Sequence, residues 1–121
     1  MDDFPEFMKS KMNHIDSSQQ NTPDIDGYCY EGADGSQICI WTYYSDRESQ
    51  ENTHEFDEYV ICASGEYTEI FDGKEHILHA GDELLIPKGT PHHGRVKKGT
   101  RTIHAFGGKR IVSSTRNVTC R

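Results

Sequence analysis

The regular punctuation of this chain constrains its fold more than any other feature. Short runs of β-forming residues alternate with Gly, Pro and Asp turns at intervals of roughly 8–12 residues, the pattern of an antiparallel sandwich or barrel. The clearest pair is residues 67–71 and 75–79, joined by Asp72-Gly73. A two-residue Asp-Gly loop is a strong hairpin signal because both positions tolerate the left-handed backbone the turn needs. Its register sets Glu69 opposite His76, and a cross-strand pair is the expected role of His76. Residues 37–44, dense in Ile, Trp, Thr and Tyr, form another expected strand. Others are expected at 28–30, 54–63 and 83–86, the last stopped by Pro87. A final hairpin over 94–97 and 100–106 is expected to turn at Lys98-Gly99. That register places His93 opposite His104 and His92 opposite Ala105. His93 and His104 then share the face turned away from His92.

The ends read differently. Phe4, Met8 and Met12 recur at i, i+4 and i+8, one face of a short helix with Pro5 in its first turn. Residues 14–27 are polar and loop-like. The expected organisation is an N-terminal segment over 1–27, one β domain over 28–112, and a tail over 113–121 that is expected to be disordered.

Composition narrows the function classes. No apolar run approaches the ~20 residues of a membrane span, and the first residues lack a secretory pattern, so the expected compartment is the cytoplasm. The four cysteines (Cys29, Cys39, Cys62, Cys120) show no paired metal-binding spacing and are expected to be reduced thiols. The net charge of −7 hides an asymmetry: every acid lies in residues 1–87, and residues 88–121 carry only bases. The favoured reading is that the two regions are neighbours that offset each other; the sharper one is a basic rim for an anionic ligand. Negative net charge and the lack of a binding motif argue against nucleic acid.

The chemistry-bearing residues flank the central strands. On a regular strand Asn52, His54 and Glu58 share one face, but His54 and Glu58 are then about 13 Å apart. They share an ion only if the chain bends between them or His54 leans in from the strand end. His92 and His93 follow the turn residues Gly81, Pro87, Gly89 and Pro91.

Residues 52–65 and 81–92 resemble the two signature motifs of the cupin superfamily. The first motif runs His-x-His, three or four residues, Glu, six residues, Gly; His54, Glu58 and Gly65 keep that spacing and Asn52 stands where the leading histidine belongs. The second runs Gly, five residues, Pro-x-Gly, two residues, His, three residues, Asn; Gly81, Pro87, Gly89 and His92 match, and Val96 replaces the closing Asn. The resemblance implies a single-domain antiparallel jelly-roll β-barrel, commonly a homodimer. It also implies a divalent metal inside the barrel, with His54, Glu58 and His92 as ligands and Asn52 at the fourth position. Imidazole and carboxylate donors suit Zn, Fe, Mn, Ni or Co. Asn52 either ligates through its oxygen, yields to water, or leaves the site weakened.

Two functions are compatible with this reading. One is a metal-dependent enzyme acting on a small anionic or aromatic molecule, with Arg95, Lys97 or Arg101 holding an anionic group. The other is a non-catalytic small-molecule binding or sensor module. A bulge at the Pro-rich turn would reverse the facing of His93 and His104 and make His104 a substitute ligand.

Overall fold

Alternation along the strands sorts the side chains of this protein into an inside and an outside. A computed structural model describes residues 2–16, 19 and 23–112; the tail at 113–121 and Cys120 lie outside them. In chain order the strands are β1 (Ile25–Glu31), β2 (Gln37–Tyr43), β3 (Arg47–Glu48), β4 (Glu58–Ser64), β5 (Glu66–Phe71), β6 (Lys74–His79), β7 (Glu83–Ile86), β8 (His93–Val96) and β9 (Arg101–Phe106). They form two antiparallel sheets, β1-β2-β9-β4-β7 and β3-β8-β5-β6. This is the all-β jelly roll expected from the motifs. Inward residues of the first sheet include Cys39, Trp41, Val60, Cys62 and Phe106, and they meet Tyr67, Leu78 and Val96 of the second.

The Asp72-Gly73 hairpin forms as expected. Asp72 has φ 55° and Gly73 φ 71°, and Glu69 pairs with His76. The anticipated side-chain pair does not form: a ring nitrogen of His76 lies 3.2 Å from the Glu69 carbonyl, and the ring stacks on Phe71. Several strand ends shift. β1 begins at Ile25, ahead of residue 28, and β4 begins only at Glu58.

The last hairpin is the main departure. β8 pairs with β3 and β5, whereas β9 pairs with β2 and β4. Residues 97–100 therefore carry the chain from one sheet to the other. The Lys98 and Gly99 N–H groups donate to Asp46 and to the Tyr43 carbonyl, which anchors this crossover to a loop and a strand distant in sequence. His104 consequently lies opposite Cys39 and Val60, not His93.

The N-terminal residues form two 3₁₀ turns, Glu6–Met8 and Lys11–Asn13, in place of one amphipathic helix. Tertiary hydrogen bonds take the backbone instead. The Tyr30 hydroxyl donates to the Met8 carbonyl and accepts from the Ser10 N–H, and the Ile15 N–H donates to the Gly27 carbonyl. Phe4 is buried beneath the Arg101 guanidinium, while Met12 is exposed. At the other end Gln37, itself 1% exposed, bonds the backbone of Arg110 and Ile111 and holds Ile111 in the core. Acidic and basic regions do meet within the chain: Arg95 pairs with Glu75, Lys97 with Glu66 and Lys109 with Glu31.

Candidate metal centre

The chain bends where the local spacing demanded it. Residues 53–57 leave the strand geometry. Asn52 is held by a two-bond bridge to His92, the Gly89 N–H donates to the His54 carbonyl, and the Gly107 N–H donates to the Asp57 carbonyl. The Lys88 N–H adds a bond to the Asp57 carboxylate. These contacts fold His54 back over the start of β4. One donor atom each from His54, Glu58 and His92 then lies within 4.8 Å of the others. Glu58 Oε1 is 3.3 Å from His92 Nε2 and 3.7 Å from His54 Nε2.

Burial and mutual contacts set the protonation of the three groups. Burial pushes the His54 imidazole down, towards the neutral form a metal requires. Burial pushes the Glu58 carboxyl up, but hydrogen bonds and positive charge from His104 and His92 outweigh it and hold the group well below the usual carboxylate range. Burial also lowers His92, yet its bonds to Glu58 and to the Thr90 carbonyl leave it raised. The Thr90 carbonyl lies 2.8 Å from His92 Nδ1, so Nδ1–H donates there and Nε2 faces Glu58. Two imidazoles and one ionised carboxylate are donors that fit a divalent ion, which would take the place of the proton that Glu58 favours on His92.

His104 was the residue least legible in advance. It is 3% exposed, with Nδ1 2.8 Å from Glu58 Oε2 and Nε2 3.1 Å from Thr102 Oγ1. The ring reaches the same cavity as His54, Glu58 and His92, and through Nδ1 it braces Glu58. The available signal was the inward alternation of Thr102, His104 and Phe106, obscured by the assumed hairpin. His93 does face away from His92, and its ring lies 3.4 Å from Glu48.

The trio opens on a cavity of about 90 Å³ between the sheets, lined also by Asn52, Trp41, Tyr67, Glu69, Arg47 and Arg110. Asn52 is exposed, and its amide nitrogen donates to the Gln50 carbonyl. Arg95, Lys97 and Arg101 do not line this cavity. The first two pair with acids on the outer face of the second sheet, and Arg101 covers Phe4 on the outside of the first. The cations that do line it, Arg47 and Arg110, come from β3 and from the stretch after β9.

Comparison with known proteins agrees with this architecture. Residues 39–106 match the family model described as the cupin domain, more than half of the chain. No curated protein matches. An RmlC-like cupin from Shewanella frigidimarina superposes with a TM-score of 0.70 at 18% identity, over 89% of this chain and 90% of that one. KdgF from Halomonas sp. gives 0.66 at 17% identity, over 75% and 84%. A salicylate 1,2-dioxygenase from Pseudoaminobacter salicylatoxidans gives 0.63 at 11% identity, over 70% of this chain and 26% of that one. At these identities the likeness is one of fold.

Proposed function

The chain belongs to the cupin family, and from that premise we propose that its barrel holds one divalent metal through His54, Glu58 and His92 and presents it to a small organic ligand. The observation that carries this is the convergence of three donor atoms, from a bend, a strand and a turn, within 4.8 Å at one cavity. A bound ion would act there as a Lewis acid towards a ligand oxygen. The chain's own groups do the rest. His104 and Thr102 fix Glu58, Thr90 fixes His92, and Trp41, Tyr67 and Phe106 exclude water around the ligand. Aromatic walls, with Arg110 among the lining residues, favour an aromatic or anionic molecule. Metal analysis of protein purified without added metal, followed by titration with Zn²⁺ and Co²⁺, tests this. One equivalent is expected; no binding of either ion overturns the reading.

The second reading is a non-catalytic binding module with a weakened site. It is favoured by Asn52, which is exposed and engaged with Gln50. The test is the affinity found in the same titration.

We also propose a homodimer. Ile38, Ala105, Tyr59 and Leu85 stand side by side across β2, β9, β4 and β7, with Ile38 52% and Leu85 56% exposed. An apolar row of this kind across a sheet face suits a second copy. Cys29, Cys39 and Cys62 are buried as small core residues, which supports the reading of reduced thiols in a cytoplasmic protein.

A further inference from the structure

The cavity holds a second carboxylate that the metal centre does not use. Glu69 on β5 is 1% exposed and lines the cavity from the four-stranded sheet, whereas Glu58 lines it from the five-stranded one. Its Oε2 accepts a 2.9 Å bond from the Tyr67 hydroxyl, and its Oε1 has no hydrogen-bond partner. A buried polar atom left bare is costly, so a purely structural position would favour an apolar side chain here. The surroundings keep the carboxyl in place. Tyr67 fits only because residue 94 is glycine: a Cβ there would sit 2.6 Å from the Tyr67 oxygen. Gly94, Tyr67 and Glu69 thus form one chain of contacts ending on a bare acceptor.

The two carboxyls are driven in opposite directions. Burial raises Glu69, the Tyr67 bond offsets part of that, and repulsion from Glu58 adds to the rise, while Glu58 itself is held low.

Resting on the metal reading above, we propose that Glu69 Oε1 is the acceptor that orients the cavity ligand. The ligand class is a compact molecule with oxygen donors for the metal at one end and an O–H or N–H group at the other, such as a hydroxy- or amino-substituted carbonyl compound. At about 90 Å³ the cavity takes only a small ligand.

Acetohydroxamate is a suitable probe, since it chelates metals through two oxygens and carries an N–H; N-methylacetohydroxamate keeps the oxygens and lacks that N–H. Binding of both to the Co²⁺-loaded protein is read from the Co²⁺ absorption bands, in wild type and in Glu69→Leu. The expected result is about tenfold weaker acetohydroxamate binding in Glu69→Leu. N-methylacetohydroxamate binding should stay within about twofold. If circular dichroism shows Glu69→Leu unfolded, Glu69→Gln replaces it, and the same N–H-dependent loss is expected at about threefold. Failure of the wild type to bind Co²⁺ overturns the metal reading and this one with it. Co²⁺ binding with no N–H-dependent loss, or with neither hydroxamate bound, overturns the Glu69 assignment alone.

Discussion

His104 Nδ1 lies 2.8 Å from Glu58 Oε2, while the other oxygen of the same carboxylate faces His92 and His54. One oxygen is held by the wall of the barrel and the other is presented to the site. The residue that holds it sits 46 positions away in the sequence, on a strand that enters the first sheet only because residues 97–100 cross over.

Removing that brace should weaken the metal centre without abolishing it. His104→Ala leaves the three donors in place but frees the Glu58 carboxylate to rotate. Loss of such outer contacts typically costs about 10–100-fold in metal affinity. Titration with Zn²⁺ should show that drop with stoichiometry unchanged; an unaltered affinity would show that Glu58 is oriented by other contacts.

Asn52 is paired with His92 through both backbone bonds and lines the cavity. Side chains directly opposite in an antiparallel pair share a face, so an imidazole at position 52 would be on the side of His92. Asn52→His should therefore tighten Zn²⁺ binding by about tenfold or more, because imidazole is the better donor. Unchanged affinity would mean that position 52 does not reach the ion.

The apo protein should lose stability in acid partly through Glu58. Its folded value is depressed, so its contribution is present above the unfolded value near 4.5 and is lost as pH falls below that. Glu69 is raised and acts with the opposite sign, so the comparison must isolate Glu58. In metal-free urea melts between pH 3 and 7, Glu58→Gln should show a shallower acid decline than wild type. Equal slopes would contradict the assigned interaction.

Gly65 joins β4 to β5 at φ +81°, and a Cβ there would lie 2.6 Å from the Thr100 Cα. Both the backbone conformation and the contact exclude a side chain. Gly65→Ala should destabilise by about 2 kcal/mol or more, measured by urea unfolding. A change under about 0.5 kcal/mol would show that the Thr100 segment yields.

Much of the fold was legible because it is locally encoded. The Asp72-Gly73 turn carries its own backbone requirement, and the runs around Trp41 and Leu84 carry their strand propensity. The motif residues His54, Glu58 and His92 were legible through fixed spacing, and the structure brings their donor atoms together. What was not legible depends on contacts between distant segments. Lys98-Gly99 looks like a hairpin turn, but bonds to Asp46 and Tyr43 direct it across sheets, which hid the inward place of His104. The Phe4, Met8, Met12 spacing is helical, but Tyr30 and Gly27 take the backbone bonds a helix would use. Glu69 showed only as a hairpin residue, since nothing local states which face of β5 closes on the cavity. Arg95, Lys97 and Arg101 carried the right charge but face outward to acids or cover Phe4.

His54, Glu58 and His92 are proposed to hold one ion together. An anomalous difference map from a crystal soaked in Zn²⁺ and recorded at the zinc edge tests it most directly. One strong peak is expected within bonding distance, about 2.0–2.2 Å, of His54 Nε2, Glu58 Oε1 and His92 Nε2. A map with no peak there, or with its peaks only at surface histidines such as His14 and His79, would contradict it.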